Sequence, residues 1–321
     1  MLQRWMPHRT QTDRETVEAR WLEAFVAVAE ELHFGRAAQR LHMAQSPLSQ
    51  TIRRLETHVG APLFDRNTRS VALTPAGTAL LPMAYRVLRD VALATAAAQA
   101  ASGRVHGIVR IGFSGAFNHL TLPRLARAIR RELPDIDLEL ISRISTGEGL
   151  TKLRNGTIDI AFVGLPIGSS PAVSSRLISR TEMGAVVPED HPLADETSIS
   201  VAQLEDDDFL SMPLDGSSAM ADVLMRCGIA AGFRPRVVQE ITDPYMLLTF
   251  VATGMGVSIV AEDLAPILPR GARWIPLNDQ TQYMYHGIAW MTDEHSAAVE
   301  AVLTLSERIL PTPAVTPHTP Q

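Results

Sequence analysis

Gln45-Ser46-Pro47-Leu48-Ser49-Gln50-Thr51-Ile52-Arg53-Arg54-Leu55-Glu56 is the stretch on which the fold turns. Ser46 followed by Pro47 predicts a helix start, with serine as N-cap and proline at the first helical position. Leu48, Ile52 and Leu55 recur at spacings of four and three and share one face. The other side carries Ser49, Gln50, Arg53 and Arg54, short hydrogen-bonding groups near the start and guanidinium groups one turn later. A helix with one apolar and one such polar edge suits the second helix of a helix-turn-helix. Its early side chains meet base edges in a major groove, while its N-terminus and arginines hold phosphates. Gln45, Ser46, Pro47, Ser49, Gln50, Arg53 and Arg54 form the expected DNA-facing set, with Ser49, Gln50 and Arg53 in the groove.

Upstream, Leu22, Phe25, Val26, Val28, Ala29 and Leu32 keep a helical apolar face from Trp21. Gly35 breaks that helix, and Ala37, Ala38 and Leu41 supply a short second one. Downstream of Gly60, two short apolar pieces flank Asp65-Arg66-Asn67-Thr68-Arg69 and read as a two-stranded wing with a basic tip, Arg69 reaching a minor groove. Thr74-Pro75 then opens a long helix that runs toward Gly103, on the order of 40 Å at about 1.5 Å per residue. Leu80, Ala84, Val87, Val91, Ala94, Ala98 and Ala101 make a heptad seam. Its partner is a second copy of the chain or the helix's own domain, and the alanines favour close helix pairing.

The 321 residues sum to a net charge of −6, with 46% apolar and 20% charged residues, a globular balance with room for two or three domains. The charge is divided: through His106 there are 13 arginines against 9 acids, and after it 16 basic residues against 26 acids. From Arg36 to Arg69, six arginines face only Glu56 and Asp65, a local excess that meets phosphates or forms a solvated surface. No apolar run approaches the ~18 residues of a membrane span, and the first twenty residues lack a secretory apolar core, so a cytoplasmic location is expected. Residues 1–18 show no periodicity and residues 311–321 are rich in Pro and Thr; both are expected to be disordered.

The second half alternates. Val109–Phe113, Leu138–Ile141, Ile158–Val163, Asp208–Met212, Val257–Val260 and His286–Met291 read as strands. Leu122–Leu133, Glu148–Arg154, Ala219–Ala231, Tyr245–Gly254 and Ser296–Leu310 read as helices. Two α/β lobes are the economical arrangement. Ligands in open α/β sheets sit beyond the carboxyl ends of strands. That rule selects Ser114, Ala116, Phe117, Ser145 and Thr146 in the proximal lobe, with Met212, Met220 and Thr242 in the distal one. Hydroxyls and backbone amides suit a carboxylate or other polar group, and Phe117 with the methionines suits an apolar body, so an organic acid is expected in a mixed pocket that is not strongly cationic. Each loop serine also reads as a cap or turn hydroxyl, and each methionine as core.

Other features point away from catalysis. The histidines, His42, His58, His106, His119, His191, His286 and His295 among them, show no spacing that joins them into a metal set, and HExxH is absent. They read as surface or structural groups. Ser217-Ser218 lacks a nucleophile elbow, Asp206-Asp207-Asp208 reads as a solvated turn, and Gly254-Met255-Gly256 runs from helix to strand, the reverse of a dinucleotide loop. Cys227, the single cysteine, reads as a small buried hydrophobe. No cofactor or metal is expected.

Phe34-Gly35-Arg36-Ala37-Ala38-Gln39-Arg40-Leu41, the stretch from Gln45 to Glu56, Pro62-Leu63-Phe64-Asp65-Arg66 and Leu73-Thr74-Pro75-Ala76-Gly77 stand together in register. In these motifs the chain resembles the LysR-type transcriptional regulators, over about Trp21 to Leu310. The resemblance implies a winged helix-turn-helix over residues 19–77 and a linker and dimerisation helix over 74–104. It also implies a two-lobed effector domain packed like a periplasmic binding protein, lobe I over 107–180 and 281–310, lobe II over 181–280. It implies a homodimer or homotetramer that binds double-stranded operator DNA, a small-molecule effector and RNA polymerase, with no enzymatic activity. Thr146 matches a family position whose side chain often contacts effector. Muconate-responsive members carry proline at the position of Ser46, arginine at that of Gln50, serine at that of Ala116 and arginine at that of Gly164. The last two differences disfavour a dicarboxylate held in that way. A solute-binding protein or an enzyme on the same two-lobed scaffold is the other reading; it needs a signal peptide or a catalytic set, and neither is seen.

Overall fold

Eight of the 13 residues of α1 (Ala19–Glu31) are buried, which makes this helix the centre of its domain. The computed structural model describes residues 16–66, 71–100, 105–279, 282–293 and 295–314. The expected disorder of residues 1–18 does not extend to Val17, which packs against the α1 core. Residues 1–15 and 315–321, with Arg69 and the seam residue Ala101, lie outside the described residues.

Helix α1 ends at Glu31, one position before Leu32, the last residue of its expected apolar face. Leu32 takes a left-handed φ of 46° and is 48% exposed, so it closes the helix instead of extending its buried face. The break therefore precedes Gly35, which lies inside α2 (Phe34–Arg40). The His33 ring caps α2: its Nδ1 accepts from the N–H groups of Gly35 at 3.0 Å and Arg36 at 3.2 Å. In α3 (Gln45–Val59) the N-cap is Ala44, not Ser46, and it gives no side-chain bond. The backbone turns helical at Gln45, which leaves Pro47 in the first turn, where an N–H has no intrahelical acceptor and its loss is tolerated.

Strands β1 (Phe64–Arg66) and β2 (Val71–Leu73) pair antiparallel, Phe64 opposite Leu73. Phe64 anchors the wing by stacking near Phe25 and Phe34, with ring centroids 5.4 and 5.9 Å apart. Thr74 Oγ accepts from the Gly77 N–H at 3.0 Å and donates to the Pro62 carbonyl at 2.7 Å, which starts α4 (Pro75–Ala100) against the wing. Leu80, Leu81, Ala84, Tyr85 and Leu88 of α4 pack on the same core.

Contacts divide the chain between residues 94 and 95 into two units. The second begins its sheet with β3 (Gly107–Gly112), followed by α5 (Leu122–Glu132), β4 (Ile136–Ile141), α6 (Thr146–Arg154) and β5 (Ile160–Leu165). The chain then forms β6 (Val173–Pro188), β7 (Asp208–Ser211), α7 (Ala219–Ala230), β8 (Arg236–Glu240), α8 (Pro244–Ala252), β9 (Ser258–Ala261) and β10 (Ala272–Pro276). It closes with β11 (Tyr283–Met291) and α9 (Ala297–Ile309). The sheet order is β10-β6-β11-β5-β3-β4, with β9 also on β6 and a separate parallel pair β7-β8.

Strand β6 ties the lobes together. Val173 to Glu182 pairs with β11 in the proximal lobe, while Met183 to Pro188 pairs with β9 and β10 in the distal one. Sequence pattern does not announce this strand, because Ser174, Ser175, Arg176, Ser179, Arg180 and Thr181 interrupt any apolar alternation. Partners on its flanks hold it extended. The proximal core gathers Ile111, Leu125, Ile129, Ile160, Ile288 and Val302; the distal core gathers Val186, Phe209, Leu224, Leu248, Val251 and Val260. Arg176 fastens α9 by donating to the Leu310 carbonyl at 2.6 Å and to Ser306 Oγ at 2.7 Å, a cation placed at a helix C-terminus.

Candidate nucleic-acid interface and effector cleft

Leu48, Ile52 and Leu55 are completely buried, while Gln45, Ser46, Pro47, Gln50, Arg53 and Arg54 are exposed and Ser49 is half-buried. The polar edge of α3 from Gln45 to Arg54 thus faces solvent over nearly three turns. Glu56, from the same helix, accepts from the backbone N–H groups of Leu63 at 2.9 Å and Phe64 at 3.3 Å and so sets the angle between α3 and the wing. Arg53 and Arg54 form no ion pair with any described residue, whereas Arg36 pairs with Glu31, and Arg40 with Glu30 and Glu31. Part of the basic excess read from the sequence therefore holds α2 on α1, and among the described residues Arg53 and Arg54 on α3 are not so paired. Tyr85 adds to this cluster by donating to Glu30 at 2.6 Å, and its own ionisation is pushed up by burial and by that carboxylate.

The second unit contains a cavity of about 390 Å³ between its lobes. Ser114, Phe117, Ser145, Thr146, Met212, Met220 and Thr242 all line it. Ala116 does not: it packs against the distal core from a one-turn helix, Ala116–Asn118. The helices α6, α7 and α8 begin at the cavity, and each is capped there. Ser145 Oγ accepts from the Glu148 N–H at 3.2 Å, Ser218 Oγ from Ala221 at 3.3 Å, and Asp243 from Tyr245 and Met246 at 3.0 Å each. Thr146 Oγ accepts from the Gly164 N–H at 2.9 Å across the β5 edge. Hydroxyl oxygens that already accept from backbone keep their own O–H to donate, so Ser145, Thr146 and Ser218 are donors toward a ligand. Ser114, by contrast, has its hydroxyl turned to Asn118 Oδ1 at 3.1 Å.

Sequence pattern missed several lining residues. Arg143, a left-handed loop residue with φ 64°, brings the one arginine among the described lining residues. Asp215 accepts from the Ser217 N–H at 2.9 Å, which together with the Ser217 hydroxyl holds its carboxyl below the usual range. Glu148 is balanced by Lys152 at 3.6 Å. His286, read from sequence as surface or structural, is 4% exposed and lines the cavity from β11. Gly164 faces α7 so closely that an added Cβ would lie 2.5 Å from Ala219 Cβ. No group of His, Cys, Asp and Glu able to hold a metal occurs among the described residues, and none of the described helices is long and apolar enough to cross a membrane.

A helix-turn-helix with an open polar face, and a separate two-lobed α/β unit enclosing a ligand-sized cleft, define the class of ligand-responsive DNA-binding proteins. Residues 19–78 match the family described as "Bacterial regulatory helix-turn-helix protein, lysR family", and residues 102–309 match the "LysR substrate binding domain". The chain belongs to the LysR family of transcriptional regulators: it is a DNA-binding regulator with an effector-binding domain. It is 44% identical over 290 residues to the HTH-type transcriptional regulator ShiR of Corynebacterium glutamicum, covering 90% of this chain and 98% of that one. It is 31% identical over 291 residues to AlsR of Bacillus subtilis, covering 90% and 95%. These relatives are transcriptional regulators, not enzymes. The crystal structure of CbnR shares the fold at TM-score 0.70 and 23% identity over 92% of this chain and 99% of that one. Full-length BenM superposes at TM-score 0.54 and 28% identity over 91% and 96%.

Proposed function

We propose that the regulator reads its operator through the exposed edge of α3. Ser49, Gln50 and Arg53 contact base edges; Gln45, Ser46, Pro47 and Arg54 contact the backbone near the helix start, and Arg69 of the wing enters the minor groove. The carrying observation is the division of α3 into a fully buried Leu48-Ile52-Leu55 edge and an exposed edge bearing the unpaired Arg53 and Arg54. The effector is a small organic acid bound between the lobes. Three capped helix starts and the donor hydroxyls of Ser145, Thr146 and Ser218 supply the polar contacts, and Phe117, Met212 and Met220 the apolar wall. Asp215, Asp243 and Glu148 do not oppose an anion strongly, since each is already engaged with backbone donors or Lys152.

The working form is a homodimer or homotetramer joined through α4, acting in the cytoplasm with RNA polymerase. Effector binding changes lobe closure, which reorients the paired helices and alters the spacing or bend between half-sites. A ligand shifts that equilibrium only by its differential affinity for the two arrangements. Footprinting with and without a bound acid tests the coupling: the protected region is expected to change in length or in its hypersensitive positions, and an unaltered footprint with unaltered transcription refutes it. The DNA assignment is tested by salt. Operator affinity should fall steeply with ionic strength, and the Arg53→Ala, Arg69→Ala double variant should bind more weakly with a slope reduced by about two. Binding equal to the parent would refute the site.

A further inference from the structure

His286 sits at the one irregularity in the β11 ladder. Opposite β6 the register shifts between His286 and Gly287, so that Ile178 has no partner. The extra residue belongs to β6, so β6 is the bulged strand beside His286. Gly287 allows β6 and β5 to close in on β11 here, since a Cβ there would lie 2.9 Å from the Arg176 carbonyl oxygen and 2.7 Å from Leu165 Cδ1. The His286 imidazole lines the cavity, and its Nε2 faces Asp263 Oδ2 at 3.4 Å, with the Asp263 side chain only 11% exposed. Neither His286 Nε2 nor Asp263 Oδ1 completes a hydrogen bond with another group of the described chain.

We propose that His286, oriented by Asp263, is the specificity-determining residue of the cleft: it meets the carboxylate of an acid effector and rejects the uncharged analogue. Asp263 holds a proton on Nε2, which leaves Nδ1 to serve the ligand. An entering carboxylate favours the doubly protonated ring, whose positive charge is shared between the ligand on one side and Asp263 on the other. Where the free ring is neutral, binding then takes up one proton from solvent. The residues facing His286 from β5 and β6, Gly164 and Ser179, carry no charge. The other ionisable groups around the cavity are Arg143 and Glu148 beside α6, Asp215 before α7 and Asp243 at the start of α8. Asp215 stays ionised through the working range because its carboxyl is held low, so it contributes no proton step there.

This proposal rests on the cleft being the effector site, and the experiment separates the two. The full-length protein is titrated calorimetrically with small aromatic and aliphatic carboxylic acids and their methyl esters, at pH 7.5 in two buffers of different ionisation enthalpy. The parent is expected to bind an acid at least tenfold better than its ester, with uptake approaching one proton. His286→Gln should bring acid and ester within about twofold of each other and abolish the uptake. Asp263→Asn, which keeps the ring, should reduce both effects and covers the case in which His286→Gln does not fold. Thr146→Ala should weaken acid and ester alike without changing proton uptake. If Thr146→Ala weakens binding but His286→Gln leaves the acid preference and the uptake intact, the role of His286 is overturned while the cleft stands. If neither variant changes the affinity of an acid that binds, both readings fall, and no binding by any acid of the panel also overturns the proposal.

Discussion

At the scale of single residues, His33 shows how a helix-turn-helix depends on one neutral ring. Its Nδ1 must be unprotonated to accept from Gly35 and Arg36, and it takes the place that Asp or Ser holds in most caps. His33→Ala is expected to cost about 1 kcal/mol of unfolding free energy in a denaturant titration, and His33→Asp to restore most of it. Cys227 makes the opposite point about reactivity. It is fully buried on α7, and burial pushes its thiol from an ordinary value near 9 up to about 11. The folded chain therefore holds the proton more tightly than the unfolded one. The sign follows: this group leaves stability unchanged below pH 9 and lowers it as pH rises from 9 toward 11. At pH 8 the folded protein should carry about a hundredfold less thiolate than an exposed cysteine gives, so alkylation by iodoacetamide should be slow until denaturant is added. Rapid alkylation of the native chain would contradict the assignment. Both residues were visible in sequence, but only Cys227 could be read there, because burial follows from its helical apolar neighbours. The capping role of His33 depends on a backbone turn at Leu32 that the apolar pattern argues against.

At the scale of elements, α4 carries two faces in succession. Its first turns contribute Leu80, Ala84 and Leu88 to the core beneath α1, whereas Val87 and Val91 on the heptad seam are 45% and 49% exposed. The seam predicted from sequence is thus divided: Leu80 and Ala84 pack within the helix's own domain, and among the described residues Val87, Val91, Ala94 and Ala98 are exposed. Glutamates at both Val87 and Val91 should place like charges along an apolar contact and shift the protein toward monomer, as read by sedimentation at micromolar concentration. An unchanged oligomer would remove α4 from the interface. The strands show the limits of periodicity more plainly. β5, uniformly apolar and buried, was legible because its character is set by what covers both of its faces. β6 was not legible, since its serines and arginines face different surroundings along its length and only pairing to β11, β9 and β10 keeps it extended.

At the scale of the effector domain, Gly164 of β5 in the proximal lobe lies close against Ala219 of α7 in the distal one. Gly164→Ala would set a Cβ 2.5 Å from Ala219 Cβ and 3.1 Å from Met284 Cε. The start of α7 must then move, at a cost of about 1–3 kcal/mol. A lower melting temperature together with weaker binding of a carboxylic acid ligand is the expected result, and an unaffected affinity would show that this approach does not control the cleft. Sequence alone determined the helix-turn-helix and most of the α/β alternation, since spacing along a chain reports directly on which side of a helix or strand is buried, and the rule for strand ends brought forward seven residues that line the cavity. Tertiary structure alone decided that β6 serves both lobes, that Ala116 packs against the distal core, and that His286, on the cavity wall, meets Asp263 behind it. Those outcomes rest on strand register and on contacts between distant segments, and no local pattern of residue types encodes them.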